Sequence, residues 1–218
     1  MIERRRVETQ RALRAAYNEL HGRVRLEERP RFYDWVLDRL GPAAAGARLL
    51  DIGCGRGGLL RAAAARGLRA AGIDLSDVAA GEARRAGARA VAVACGEALP
   101  FADGSFPLVA HLGNLEHFLD PRRGAREIAR VLAPAGRAAV LLPNAYYSGD
   151  IWRVVRTGYG PDHHQPIDRF ATAGEWRDLL EGEGLAVGAT VPYNKFKWWK
   201  RLLPFNLAYH FLFLCTRK

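Results

Sequence analysis

The sequence predicts a doubly wound α/β fold with a mostly parallel sheet of seven strands. The first observation behind this is that short apolar runs alternate with helix-like segments between residues 48 and 142, as they do where helices cover both faces of a parallel sheet. The second is a glycine-rich turn after the first run, with four glycines among residues 53–58. At 218 residues, the chain is expected to form one domain whose core needs no disulfide or metal.

Two helices are predicted before the alternating pattern begins. Residues 3–20 place apolar side chains three or four positions apart, which is the spacing of one helical face. Residues 31–40 form a second predicted helix, which Gly41 and Pro42 end. Residues 1–45 are therefore expected to form a helical cap.

The predicted core extends over residues 46–145. Its elements are predicted in the order strand 48–53, helix 58–66, strand 69–74, helix 77–86, strand 89–94, strand 107–112, helix 122–132 and strand 137–142. In such sheets, ligands bind beyond the carboxyl ends of the strands. Site residues are therefore expected directly after strands.

The alternation stops after Pro143. Residues 146–171 are predicted to form an irregular insertion. Thr172 is expected to cap the next helix, with Glu175 as its capping-box partner. Two final strands are predicted over residues 185–191 and 207–215, so residues 172–218 are expected to contain a helix and a hairpin.

The positive charge of the chain is unevenly distributed. The net charge is +10 at pH 7, but the arginines are spread along the chain and mixed with acids, which a GC-rich genome produces without selection for nucleic-acid binding. All four lysines lie in the last 24 residues, which contain no Asp or Glu. The charge that is informative about a partner is therefore the charge near the C-terminus.

Cysteine usage and hydropathy indicate a cytoplasmic protein. The three cysteines are odd in number and lack CxxC spacing, as expected for reduced thiols. No apolar segment typical of a secretory signal follows Met1. The longest apolar stretch, residues 202–215, is too short to cross a bilayer.

The glycine-rich turn is the predicted binding site of a nucleotide. Its glycines let a ligand approach the backbone, and the helix that follows supplies unpaired N–H groups. Asp74 ends the next strand, where its carboxylate is placed to accept hydrogen bonds from a ribose. The glycine spacing also satisfies GxGxxG, the dinucleotide pattern. Asp51 favours a different ligand, because it would repel a pyrophosphate and attract a cationic amino-acid group.

Four motifs occur together in a characteristic order. They are Leu49–Gly57 with Asp74 behind it, Gly96–Phe106, Gly113–Pro121 and the turn Arg130–Arg137. On these motifs, the chain resembles the class I S-adenosylmethionine-dependent methyltransferases, especially the small-molecule group that includes ubiquinone and menaquinone biosynthesis. The resemblance covers about residues 30–145. It implies a Rossmann-like sheet closed by an antiparallel final hairpin, with S-adenosylmethionine as cofactor.

The resemblance also implies which residues hold this cofactor. Asp51 and the glycine turn would contact its methionine part, Asp74 the ribose and Leu75 the adenine. The complete expected set is Asp51, Gly53, Cys54, Gly55, Asp74, Leu75, Gly96, Glu97, Ala98 and Asn114. Cys95 stands where the family usually has an adenine-binding Asp, so Glu97 or nearby backbone groups are the alternatives for that task.

Three histidines are candidate catalytic residues. His117 follows the fourth strand of the predicted core, although in this motif it is as often a packing residue. The resemblance implies that the insertion over residues 146–171 forms the pocket of the methyl acceptor. His163 and His164 lie in this insertion, where a histidine can take a proton from a hydroxyl or amine. Adjacent histidines also fit a solvated loop. No third ligand at a recognisable spacing accompanies them, so no metal site is predicted.

The segment Lys195–Phe205 interleaves cations with aromatic residues. This composition suits the interface of an anionic membrane, stacking on single-stranded nucleic acid, or a loop that covers the domain's own edge. Membrane contact is the favoured functional interpretation, because leucines and phenylalanines outnumber base-reading polar residues. It would place a cytoplasmic protein at the inner membrane face.

The leading functional hypothesis is methyl transfer to a small-molecule or lipid-like acceptor. A noncatalytic S-adenosylmethionine-binding module is one alternative, suggested by Cys95. A methyltransferase acting on RNA or protein is another, suggested by the charge. The sequence after Asn114 lacks the Pro-Pro-aromatic signature of nucleic-acid amino-methyltransferases, which argues against DNA methylation.

Overall fold

The computed structural model describes residues 1–24, 26–160, 165–195 and 202–218. In chain order, its strands and helices are β1 (Ile2–Arg5), α1 (Gln10–Arg23), α2 (Pro30–Leu40), β2 (Arg48–Ile52), α3 (Gly58–Ala65), β3 (Arg69–Asp74), α4 (Asp77–Arg85), β4 (Ala90–Val93), β5 (Phe106–Leu112), α5 (Pro121–Val131), β6 (Leu132–Pro143), α6 (Ser148–Thr157), β7 (Ile167–Phe170), α7 (Ala173–Gly182), β8 (Leu185–Tyr193) and β9 (His210–Arg217).

A seven-stranded sheet forms the centre of the molecule, in the order β4-β3-β2-β5-β6-β9-β8. The first five of these strands pair in parallel, and β9 pairs antiparallel with both β6 and β8. The predicted α/β class, the mostly parallel sheet and the antiparallel final hairpin are therefore confirmed. The order of the strands reverses between β2 and β5, which is where a doubly wound sheet binds its ligands.

The core lies on both faces of this sheet. In β2, Leu50 and Ile52 pack against one face together with Trp176 of α7. Leu49 packs on the opposite face with Phe32 of α2, because successive side chains of a strand point to opposite sides. Full burial of one such side chain contributes about 1.5–3 kcal/mol. Residues that end β2 are therefore held on a rigid support.

The predicted N-terminal helix over residues 3–20 is wrong at its start. Residues 2–5 form β1, which pairs antiparallel with β7. The helix begins at Gln10. Thr9 caps its N-terminus, because the Thr9 hydroxyl oxygen accepts a hydrogen bond from the Ala12 N–H at 3.2 Å. Pairing with a strand more than 160 positions away leaves no periodic signal in the local sequence.

The predicted irregular insertion over residues 146–171 contains the regular elements α6 and β7. No residue of α6 is buried and no side chain caps it, so the two usual helix signals are weak. The capping box that starts α7 is confirmed, since Thr172 and Glu175 bond each other's backbone N–H groups. The last strand begins at His210 rather than at residue 207, because residues 205–207 form a 3₁₀ turn.

Candidate cofactor and acceptor site

The glycine-rich turn follows β2 and is packed between β3 and the end of β5. The N–H groups of Gly53 and Cys54 both donate to the Ile73 carbonyl at 2.8 Å. Gly53 has φ +73°, and a Cβ built there would lie 2.5 Å from the Asn114 side chain. Only glycine meets both requirements, so the turn leaves a bare stretch of backbone facing the ligand side.

Asp74 ends β3 and closes this turn from the other side. Its two carboxylate oxygens accept the N–H groups of Gly55 and Ser76, each at 2.8 Å. Burial raises its pKa, and these hydrogen bonds oppose the rise. Each oxygen keeps acceptor capacity beyond one bond. The carboxylate is therefore fixed in place and still able to accept bonds from a diol.

Asp51 is a second buried carboxyl group on the same cavity wall. Burial, and then the neighbouring Asp74 carboxylate, raise its pKa to about 8. Two buried carboxyls facing one space disfavour an anionic ligand and favour one that brings positive charge. The two carboxyl groups of Asp51 and Asp74 fit the cationic methionine part of S-adenosylmethionine and do not fit a pyrophosphate.

A cavity of about 430 Å³ extends from the glycine turn past the end of β5 to β9, a size within the range of small-molecule sites. The expected residues that line it are Asp51, Gly53, Cys54, Gly55, Asp74, Asn114 and His117. The expected residues outside its lining are Leu75, Gly96, Glu97 and Ala98. The structure thus brings together the methionine and ribose sides of the expected site with one of the candidate histidines.

The residues expected to bind adenine contact other groups of the protein. The Glu97 carboxylate accepts bonds from the Gln10 side chain (2.8 Å) and the Leu119 N–H (2.9 Å). A Cβ on Gly96 would lie 2.3 Å from the Phe118 ring. Cys95 accepts a weak bond from the Glu97 N–H at 3.4 Å. Glu97 thereby joins α1 to the loop after β5.

Helix α1, which the sequence predicts only as part of the N-terminal helical cap, contributes residues to the cavity. Tyr17 and His21 both line the cavity. The Tyr17 hydroxyl is buried without a hydrogen-bond partner among the described residues, and burial raises its pKa well above the ordinary value. Asn18 anchors the helix by accepting the Ser76 hydroxyl at 2.8 Å. Apolar spacing alone gives no reason to assign the polar members of this helix to a site.

A cluster of one histidine and two carboxyls lies deeper in the cavity. The Nδ1–H of His117 donates to the Ile167 carbonyl, which leaves Nε2 as the proton-accepting nitrogen of the neutral ring. Nε2 lies 3.7 Å from Glu116 Oε1, and Nδ1 lies 4.0 Å from Asp168 Oδ1. Glu116 is buried, which raises its pKa to about 8. This arrangement can accept a proton and stabilise the imidazolium that results.

Arg169 of β7 holds this cluster in position. Its buried guanidinium donates to the carbonyls of Glu116 (3.1 Å) and Leu119 (3.2 Å), and also to that of Phe118. The same group pairs with Glu3 of β1 at 2.8 Å. The β1–β7 pair therefore supports the loop that carries His117.

His163 and His164 lie outside the described residues, as do residues 196–201 within Lys195–Phe205. Among the described residues, no group of three or more His, Cys, Asp or Glu side chains is placed to hold a metal ion. Over the same residues, no helix combines the length and apolar character that a bilayer crossing requires.

Comparison with known proteins gives consistent results. A family profile described as a methyltransferase domain matches residues 50–140. An uncharacterized methyltransferase of Mycobacterium marinum is 30% identical over 193 residues, or 78% of this chain and 74% of that protein. A ubiquinone biosynthesis O-methyltransferase of Aromatoleum aromaticum is 33% identical over 61% of this chain and 58% of that protein. The chain spans about half the length of the first curated relatives, with shares of 52%, 38% and 58%.

Solved structures share the fold. The geranyl diphosphate C-methyltransferase of Streptomyces coelicolor A3(2), in complex with S-adenosyl-L-homocysteine, aligns with a TM-score of 0.68. The alignment covers 86% of this chain and 79% of that one, at 19% identity. At this identity the likeness shows a common fold.

Proposed function

The chain belongs to the methyltransferase domain family, and on that basis we propose that it transfers a methyl group from S-adenosylmethionine to a small-molecule or lipid-like acceptor. One observation carries the proposal. A single cavity joins the two buried carboxyls at the glycine turn, Asp51 and Asp74, to the proton-accepting cluster around His117. A donor site and an acceptor site that open into each other are what a group transfer requires.

Binding of the cofactor is assigned to the residues around the glycine turn. When bound, S-adenosylmethionine supplies a methyl group activated by its sulfonium. Asp74 would accept the ribose hydroxyls, and Asp51 would face the cationic methionine part. Glu97 and the backbone near Gly96 remain the proposed adenine contacts.

His117 is the proposed proton acceptor where the acceptor must lose a proton. The carbonyl that binds its Nδ1–H fixes the tautomer, so Nε2 is the nitrogen that takes the proton. Asp168 then stabilises the imidazolium, since its carboxyl group lies 4.0 Å from Nδ1. Glu116, whose pKa is raised to about 8, keeps its own proton at neutral pH and adds little charge stabilisation. Burial of the cluster strengthens these interactions relative to water.

The acceptor is proposed to enter on the side of the cavity away from the glycine turn. Aromatic side chains form this wall, among them Tyr193 and Tyr209, and suit an organic acceptor. The relative named for ubiquinone biosynthesis and the structure with geranyl diphosphate favour small organic acceptors. His163 and His164 are proposed as further acceptor contacts, and Lys195–Phe205 as a contact with anionic membrane.

Two measurements test this function. Titration calorimetry should show that S-adenosylhomocysteine binds and that NAD does not compete. Untargeted metabolite profiling of a deletion strain should show a species that lacks one methyl group. Preference for NAD would refute the cofactor assignment. Cofactor binding without any methyl transfer, in the strain or with purified protein, would favour the noncatalytic module instead.

A further inference from the structure

Helix α6 carries its apolar side chains on the outside of the molecule. Every residue of 151–159 is exposed. Four of them are large and apolar: Ile151, Trp152, Val154 and Val155, with exposed fractions of 40%, 65%, 45% and 73%. We call these four the α6 face. At about 100° per residue they fall within about 160° of the helix circumference, whereas Asp150 lines the cavity.

This orientation is the reverse of an ordinary surface helix, whose apolar side packs on the core. A helix of 10 residues that buries none of them gains little from tertiary packing, and short isolated helices are marginal in water. Contiguous exposed apolar surface of this kind marks a contact with a membrane or another macromolecule. The α6 face therefore needs an external partner to be covered.

The charge around the α6 face is positive. Residues 146–160 contain Arg153 and Arg156, and Asp150 is their one acid. The N-terminal strand adds to this charge, because a Cβ on Gly160 would lie 3.6 Å from the Arg4 guanidinium and Arg6 donates to the Gln165 carbonyl at 3.4 Å. At about 100° per residue, Arg156 lies at the edge of this apolar strip, next to Trp152, and Arg153 lies on the opposite side of the helix. An apolar strip with tryptophan and an arginine at its edge is complementary to anionic headgroups above an acyl layer.

A second exposed apolar segment precedes Tyr209, whose ring contacts the residue directly before α6. Tyr147 directly precedes α6, and its ring packs against the Tyr209 ring with 4.9 Å between the centroids. The Lys195 ammonium lies 4.3 Å from the centroid of the Tyr209 ring. In the segment that precedes Tyr209, Leu202 and Phe205 are exposed. Tyr209 itself lines the cavity. The start of α6 is thus joined to the cavity lining through the contact between Tyr147 and Tyr209.

We propose that the α6 face is a docking surface for an anionic lipid bilayer, which it enters at headgroup depth with the cavity mouth turned toward the lipid. Docking in this orientation would give a lipid-like acceptor a path into the cavity without crossing water. The docking step needs neither cofactor nor transfer. Only the identity of the molecule delivered rests on the proposed function.

Sedimentation with vesicles tests the proposal. The wild-type protein should bind phosphatidylglycerol vesicles at low salt, bind phosphatidylcholine vesicles at least about tenfold more weakly, and dissociate as salt is raised. The double variant Trp152→Glu/Val155→Glu should lose at least tenfold in partitioning. Arg153→Gln/Arg156→Gln should lose severalfold, and Arg85→Gln/Arg89→Gln, which removes equal charge from α4 and the turn after it, should bind within twofold of wild type.

The outcomes separate the proposal from its rivals. Unchanged thermal melting of the glutamate variant shows that it is folded, as expected for side chains outside the core. Wild-type protein that fails to bind anionic vesicles at low salt, or a folded glutamate variant that binds as wild type does, would overturn the proposal. So would light scattering that shows a dimer which this variant dissociates, since a second copy would then cover the α6 face. Lost methyl transfer with intact vesicle binding would count only against the proposed function.

Discussion

Replacing Glu116 by glutamine should change the pH dependence of stability. The buried carboxyl has a pKa of about 8 against an ordinary value of 4.5, so the folded state holds its proton more tightly than the unfolded state does. As pH rises through this interval, only the unfolded chain gains by ionisation, and the folded protein loses stability. Glutamine removes the titration while keeping the shape of the protonated side chain.

The size of the effect follows from the shift. One pKa unit corresponds to about 1.4 kcal/mol, so the wild-type protein should lose about 3 kcal/mol relative to the variant between about pH 5 and pH 8. The unpaired amide adds an offset that is the same at every pH. The slope is therefore the informative quantity.

Urea unfolding over this pH range measures that slope. Glu19→Gln provides the matched control, since Glu19 is 61% exposed on α1, and its stability profile should run parallel to that of the wild type. The Glu116→Gln profile should diverge from both as pH rises. Parallel profiles for all three proteins would refute the reasoning, because they would show that the pKa of Glu116 is not raised by burial in the folded protein.

Three further predictions concern the site. Asp74→Ala should weaken S-adenosylhomocysteine binding by about 1–3 kcal/mol in calorimetry, and unchanged affinity in a folded variant would remove Asp74 from the cofactor site. His117→Gln should lower turnover by about 10²–10⁴-fold while leaving cofactor affinity near wild type; a rate within twofold of wild type would show that no proton passes through this ring. Alanine at both His163 and His164 should lower turnover in steady-state assays without weakening cofactor binding, and full activity would exclude both from the acceptor site.

The sequence by itself determined the mostly parallel sheet and the position of Asp51, Asp74 and the glycine-rich turn at one edge of it. The alternation of apolar runs and helices is a local signal, and so are the glycines that a tight turn after β2 requires. Asp51 is the next-to-last residue of β2 and Asp74 is the last residue of β3, so strand prediction was enough to bring them to one edge. Thr172 and Glu175 likewise satisfy each other within four residues.

Tertiary structure alone decided what surrounds that edge. Tyr17 and Glu116 line the cavity because α1 and the loop after β5 pack there. Tyr17 fits the apolar spacing of α1, which predicts packing and not a place in a site, and Glu116 belongs to no apolar period. Arg169 is buried because three carbonyls and Glu3 meet at its guanidinium, a set drawn from distant parts of the chain. The outward orientation of the α6 face was also not predicted. Periodicity shows that a helix is amphipathic, but only the neighbours it packs against show which side it buries.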